Sequence, residues 1–426
     1  MQSRLDKSIS LLISWSITLS CFSYPITIVM IINIGIPSNI TNIILKAVYS
    51  ALYSLLITLT LFKHKATIRK EVKPLLYFFF FYSLRLIYDI GWLNIPMLGY
   101  SSSYVYSYYF GATLLPCLAI ILSSSLINVK QILKFTAIFL IFANIAHTYQ
   151  VLVKQGLTEV LANRAQFTND SDLEFSGFLI NPIIVGYFGA LLSLFSIASI
   201  ITQNSMKFSY KILFSVLFVY GFGNIILGAS RGPLFTFAIL LIFILAYYIK
   251  HNSSIAKSIL SLSVVFMISA VLISIYVVPY FENNTIFLFD RLETFSDNLN
   301  TGEKEYRNYA YAAAINDFLE SPIYGYQYVG TFDSFYPHNI IIEVLMSVGV
   351  IGGFCFLGAF RNFLRGILFI WRKSSEQAKL PLILVCITST MLSLTSGSIM
   401  ASPDFWVLFT FLILLARPSN PHHQYI

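Results

Sequence analysis

The chain has 426 residues, of which 57% are hydrophobic, 16% aromatic and only 11% charged. A soluble domain carries about a quarter of its residues as charges to cover its surface, so this composition excludes a soluble globular protein. A net charge of +8 would suit nucleic acid, but the distribution of that charge along the chain is a topology signal and excludes a nucleic-acid footprint.

Charge-free runs of about 17–25 residues recur along the whole length, as a hydrocarbon core about 30 Å thick requires. In chain order they predict spans near 11–34, 43–62, 75–94, 105–127, 132–151, 178–202, 210–228, 233–249, 258–280, 339–360, 380–397 and 403–416. The fold class is therefore all-α, a polytopic membrane protein of about 12 transmembrane helices, with 1–426 forming a single integral membrane domain. Leu11–Ile34 is too long for a signal-peptide apolar region, and no small-residue cleavage site follows it, so it reads as the first span. Cys21, Cys117, Cys355 and Cys386 fall in apolar segments without the spacing of a disulfide or a zinc site, and read as small packing residues.

The connecting segments alternate in charge. Arg4, Lys7, Lys63, Lys65, Arg69, Lys70, Lys73, Lys130, Lys134, Lys207, Lys211, Lys250, Lys257, Arg361, Arg365, Arg372, Lys373, Lys379 and Arg417 share one side, 19 of the 27 basic residues. Three acids, Asp6, Glu71 and Glu376, accompany them, whereas the opposite side carries six basic residues and 14 acids. By the positive-inside rule the basic side is cytoplasmic, which places both termini inside.

Two outer segments exceed a simple turn. Gln155–Ser176 is short and acidic, and its Asp170-Ser171-Asp172 is formally a metal-holding pattern on a face where nucleotide sugars are absent. The second, 281–338, between the ninth and tenth spans, is long enough to hold structure of its own. Within it Glu305–Glu320 is alanine-rich and closed by Pro322, predicting a helix with Tyr306, Ala310, Ala313, Ile315 and Phe318 on its packed side. Ser321-Pro322-Ile323-Tyr324-Gly325 reads as the turn that ends it.

Ionisable residues at membrane depth are costly and so are candidates for function. Arg85 and Asp89 lie four apart in the third span, where they form either a structural ion pair or a substrate contact. Lys46 and Glu343 sit near the outer ends of their spans, where snorkelling is an adequate account. Arg231 lies in Gly228-Ala229-Ser230-Arg231-Gly232-Pro233 between two spans. Small neighbours allow close approach, and a helix opening at Pro233 would add its N-terminus to the guanidinium as an anion site, unless the arginine simply meets lipid headgroups. Arg291 and Arg307 lie on the outer loop, and His338 stands where that loop meets a span, within range of proton exchange near neutral pH. His147, inside the fifth span, reads as a packed polar residue. Walker, dinucleotide-glycine, His-Glu-x-x-His and Gly-x-Ser-x-Gly patterns are absent from the sequence, and neither a metal nor a nucleotide cofactor is indicated.

The order of these pieces carries a resemblance. Ser230-Arg231-Gly232 between spans is followed by a large outer loop with Arg307-Asn308-Tyr309-Ala310-Tyr311-Ala312-Ala313, then Ser321-Pro322-Ile323-Tyr324-Gly325, His338-Asn339 with Glu343, and Gly349-Val350-Ile351-Gly352-Gly353. From about Gly228 to Gly353 the chain resembles the O-antigen ligase and polymerase family, bacterial inner-membrane glycosyltransferases acting on undecaprenyl-pyrophosphate-linked glycans. The resemblance implies a GT-C-like membrane fold whose one large helical loop is periplasmic, and a metal-independent reaction. It implies that Arg231 and Arg307 clamp the donor pyrophosphate, while His338 orients the acceptor hydroxyl or takes its proton, aided by Asn339 and Glu343. Ser230, Arg291, Arg85 and Asp89 would complete the substrate contacts. The implied partners are an undecaprenyl-pyrophosphate-linked oligosaccharide, an acceptor glycan or lipid A–core, membrane lipids and a chain-length regulator. A polymerase is preferred over a ligase on the aromatic richness of the chain, 27 Tyr and 38 Phe. A flippase for lipid-linked sugars also needs about 12 spans, but would show internal repeats and midplane charges that this sequence lacks.

Overall fold

The computed structural model describes residues 4–22, 38–63, 68–163, 165, 181–202, 206–251, 306–372, 378–400 and 402–415. In chain order these form α1 (Arg4–Phe22), α2 (Ser38–Lys63), α3 (Lys73–Leu86, continuing as a π-helix over Ile87–Trp92), α4 (Ser102–Leu122), α5 (Val129–Lys154) and α6 (Leu157–Asn163). Then follow α7 (Pro182–Thr202), α8 (Phe208–Gly228), α9 (Arg231–His251), α10 (Tyr306–Glu320), α11 (Ile340–Arg372), α12 (Leu380–Ser396) and α13 (Pro403–Leu415). Every expected span coincides with helix in its described part, except 258–280, which lies outside the described residues. Arg291, the Asp170-Ser171-Asp172 pattern and the first part of the large loop also lie outside them, as does the side chain of Lys46. Six helices, α4, α5, α7, α8, the Arg231–Tyr248 part of α9, and α11, are long and apolar enough to cross a membrane. Ala47–Phe62, α12 and α13 are shorter apolar helices. The protein is an integral membrane protein built of helices, in which backbone polar groups are satisfied within each segment.

Three details differ from expectation. α11 runs on to Arg372, well past the expected end near 360, because arginines end an apolar run without breaking a helix. α9 opens at Arg231 rather than at Pro233. The first-turn N–H groups have no partner within the helix, so a proline at its third position costs nothing there. In α10 the buried residues are Ala310, Ala314 and Asp317, whereas Tyr306 and Ile315 are exposed at 55% and 48%. The packed stripe is therefore Arg307–Ala310–Ala314–Asp317 at helical spacing. It includes an acid because Asp317 anchors the loop, accepting from the Thr331 N–H at 2.9 Å and the Thr331 hydroxyl at 2.6 Å.

The chain divides into two compact units. The first comprises Met1–Phe139, Lys304–Arg372 and Ser389–Ile426. Its core is aromatic where α3, α11 and α13 meet: Phe78 stacks on Trp406 at 5.2 Å, and Phe363 on Phe409 at 4.7 Å. The second unit comprises Leu140–Glu303 and Lys373–Thr388. There α7 and α8 cross backbone to backbone, since a Cβ on Gly189 would lie 2.5 Å from the Gly221 carbonyl oxygen. Such approach lets helices associate without any hydrophobic drive from lipid. A polar cluster ties α5 to α8. The Asn224 amide donates to Asn144 at 2.8 Å, the Thr148 hydroxyl to Asn224 at 2.7 Å, and the Tyr220 hydroxyl to Thr148 at 2.7 Å. His147 is buried beside Phe188, ring centroids 5.3 Å apart, as its packed reading requires.

Candidate functional site

The first unit gathers most of the candidate residues around the second half of the 281–338 loop. Its turn, Ser321 to Tyr328, is fixed from two sides. On one side it meets a break in α11, where Gly349 takes φ 59°, ψ −160°. A Cβ on Gly349 would lie 2.5 Å from the Ile323 carbonyl oxygen, and one on Gly325 (φ 80°) would lie 2.3 Å from the Ser347 carbonyl. Only glycines permit this backbone contact. The Tyr326 N–H donates to Met346 O at 2.7 Å and the Val350 N–H to Pro322 O at 2.8 Å, so the turn satisfies groups that the helix break leaves open. On the other side stands Arg85 of α3. Its Nη1 donates to Tyr326 O at 3.0 Å and to Asp89 at 3.2 Å, and its Nη2 donates to Tyr324 O at 2.9 Å and Gly325 O at 2.8 Å. Asp89, fully buried in the π-helical end of α3, spends its second oxygen on the Tyr328 N–H at 2.7 Å. The pair foreseen from spacing forms, and both partners are committed to the loop backbone. A cleft of about 260 Å³ opens beside them, lined by Phe81, Leu84, Tyr88 and Tyr324 with Arg85.

A second corner forms where the loop enters α11. Asn339 caps that helix: its Oδ1 accepts from the Ile341 and Ile342 N–H groups at 3.0 and 3.2 Å, which is ordinary N-cap geometry. Its Nδ2 donates to Leu394 O at 2.7 Å. Glu343, buried one turn later, accepts from the Ser398 hydroxyl and the Ile399 N–H, each at 3.0 Å. Arg307 of α10 donates through Nη1 to Thr395 O at 3.0 Å. Three candidate residues thus converge on one stretch, Leu394 to Ile399 at the end of α12, which sequence reasoning passed over. Its Gly397-Ser398 between two apolar runs was the available signal.

His338 projects from this corner. Its backbone is left-handed, φ 54°, a conformation in which histidine is enriched among non-glycine residues. The imidazole lies 4.7 Å from the Tyr336 ring and 5.7 Å from the Phe335 ring, and makes no hydrogen bond among the described residues. Burial, followed by the positive charge of Arg307, lowers its pKa to about 4, against a smaller opposing effect of Asp333. The ring is therefore uncharged at neutral pH and able to accept a proton. Asp333 links the corner to α10: it accepts from the Tyr306 hydroxyl at 2.5 Å and from the Phe335 N–H at 2.9 Å. The Asp333 hydrogen bond pushes the Tyr306 phenol up to about 12, which keeps it a donor. Tyr306 reads from sequence only as a packing residue, and Asp317 and Asp333 were missed as site residues because loop acids register there only as topology charges.

Ser230 and Arg231 belong to the second unit. α8 ends in a left-handed Ala229, φ 41° and ψ 40°, and α9 begins two residues later with Arg231 half-buried. The turn sits against α7: a Cβ on Gly186 would come within 3.2 Å of Pro233 and 3.9 Å of Ser230. Among the described residues no group of three His, Cys, Asp or Glu side chains comes together as a metal site would require.

No curated protein matches the chain. Residues 216–357 match the family model described as O-antigen ligase, a stretch that contains the Arg231 turn, Arg307, His338 and the Gly349 break.

Proposed function

We propose that the protein transfers a glycan from an undecaprenyl-pyrophosphate donor to an acceptor sugar on the periplasmic side of the bacterial inner membrane, as a polymerase of surface polysaccharide repeats. The observation that carries this is the corner within the matched stretch where Arg307 and Asn339 both bond to the end of α12 and the His338 ring packs edge-on to Tyr336. In the reaction the acceptor hydroxyl oxygen bonds to the anomeric carbon of the donor, and the bond from that carbon to the pyrophosphate oxygen breaks. The hydroxyl proton passes to His338, and the leaving pyrophosphate takes the bonding electrons. Arg307 binds that pyrophosphate, its planar fork suiting charge that grows as the bond breaks. Asn339 and Glu343 act as positioning residues through α11 and the Leu394–Ile399 stretch, and Arg85 and Asp89 through the loop turn. Arg231, Ser230 and Arg291 keep the donor-binding role that the resemblance implies. About 12 spans, cytoplasmic termini and a periplasmic loop at 281–338 supply the orientation this requires.

The description of the matched family favours a second reading, an O-antigen ligase delivering finished chains to lipid A–core. A deletion strain separates the two. Polymerase loss leaves core bearing one repeat unit, whereas ligase loss leaves bare core with accumulated lipid-linked polymer. In the complemented strain, His338→Ala is expected to abolish long-chain glycan at normal protein abundance. Normal long-chain glycan from that variant would overturn the assignment.

A further inference from the structure

A file of rings runs away from His338. Tyr336 stands edge-on to the imidazole at 4.7 Å and stacks on Phe335 at 4.2 Å. Phe335 lies nearly parallel to Tyr100 at 6.2 Å; Tyr100 lies 4.9 Å from Tyr104, and Tyr104 5.4 Å from Tyr108. All of these rings are half-buried, each covered in part by the next and open in part to solvent. Two distant stretches build the file, and their backbones are tied together. The Leu98 N–H donates to Ser334 O at 2.9 Å, and the Tyr328 hydroxyl to Ile95 O at 3.1 Å. Ser101 caps α4 by accepting from the Tyr104 N–H at 3.2 Å, which sets Tyr104 and Tyr108, four apart, on one helix face.

The chemistry of such a surface is specific. Its ring faces are apolar and its edges carry phenol hydroxyls, and Arg307 and Asp333 bring charge to the His338 end. A pyranose has the complementary pattern: a face of C–H bonds that packs flat on an aromatic ring, and equatorial hydroxyls that exchange hydrogen bonds with groups at the ring edge. An acyl chain would match the ring faces but not the polar ring edges. Tyrosines are also enriched in the belts at membrane interfaces, but these rings cover one another and lead to one imidazole.

We propose that the file from Tyr336 to Tyr108 is a sugar-binding track that holds the acceptor glycan, with the sugar on Tyr336 presenting its hydroxyl to His338. The proposal rests on the glycan-transfer reading above. It extends that reading by assigning the acceptor subsite to residues on both sides of the third span's outer end.

The test uses the full-length protein in lipid nanodiscs and, as probe, the oligosaccharide released by mild acid from the host's own surface polysaccharide. Saturation-transfer NMR is expected to report contact to sugar protons in the wild type. Tyr104→Ala and Tyr336→Ala are expected to weaken binding at least tenfold. Tyr104→Trp, which keeps a ring and controls for folding, stays within about threefold. Unchanged binding in both alanine variants, while the His338→Ala strain lacks long glycan, overturns the track and leaves the transfer reading standing. Saturation reaching lipid protons but no sugar proton in the wild type would mark the file as an interfacial belt and also overturn the proposal. Normal glycan in the His338→Ala strain strikes the transfer reading itself, which the binding experiment does not address.

Discussion

Arg85 and Arg307 stand at two corners of the same unit and differ in what their guanidinium groups have left to give. Arg85 is spent: three loop carbonyls and the buried Asp89 occupy Nη1 and Nη2. Arg307 donates one hydrogen bond, from Nη1 to Thr395 O, and its remaining N–H groups bond to nothing among the described residues. An arginine that completes a backbone turn acts on stability, and one with spare donors beside an uncharged imidazole can act on a ligand. Spacing pairs Arg85 with Asp89 in the sequence, but nothing there shows that loop carbonyls take its other donors while those of Arg307 are left to spare.

Paired substitutions would break this contrast most directly. Removing Arg85 leaves Asp89 as a buried unpaired carboxylate and frees three carbonyls, so Arg85→Ala should cost about 3–5 kcal/mol and lower both the thermal midpoint and the amount of folded protein. Arg307→Ala gives up one bond at a half-buried position and should unfold within a few degrees of wild type, yet lose glycan transfer by a factor on the order of 10²–10³. Detergent thermal-shift measurements beside polymer gels score both. Equal thermal midpoints for the two variants would erase the distinction.

The pH dependence sharpens it. The uncharged ring of His338 is the active form, so activity should hold as pH falls from 7 and fail as the pH passes through about 4, where the ring protonates. The Arg307 charge is the second cause of that low value, after burial. Taking it away in Arg307→Ala removes a repulsion against the imidazolium and moves the acid limb of the residual kcat/KM profile upward, toward the ordinary histidine range. An acid limb that stays put in the variant would mean that Arg307 does not reach His338 electrostatically.

How much of this could be read beforehand follows from where each interaction lives. The loop helix, the turn at Pro322-Gly325 and the Arg85–Asp89 pair were legible because propensity, turn chemistry and i,i+4 spacing are local. The glycines at 325 and 349 were both noted, but not as halves of one backbone contact, since their meeting depends on tertiary placement. Nor was the commitment of Arg85 visible, because bonds to main-chain carbonyls leave no mark on the residues that supply them. Asn339 had a readable alternative in the rule that an asparagine before an apolar helical run is an N-cap. The rings of Tyr100, Tyr104 and Tyr108 showed helical spacing, but in an aromatic-rich chain that pattern does not stand out.

The smallest expected effect concerns the link that holds the two corners of the site in register. Tyr306 is more than half exposed, so its hydroxyl contributes little to the core, yet its bond to Asp333 joins the first turn of α10 to the loop just ahead of His338. Arg307 is the next residue, so this bond sets how closely its charge faces the imidazole. Tyr306→Phe keeps the ring against Phe332, 5.7 Å away, and removes only the donor. A charge-assisted hydrogen bond is worth about 1.5–3 kcal/mol when buried, but solvent competes here, so the thermal midpoint should move by no more than a degree or two. Transfer should fall about three- to tenfold as Arg307 loosens, chiefly in kcat, with the acid limb of the profile displaced in the same direction as in Arg307→Ala. A Tyr306→Phe variant with a normal kcat and an undisplaced limb would show that α10 holds Arg307 in place without this bond, through the buried Ala310–Ala314–Asp317 stripe alone.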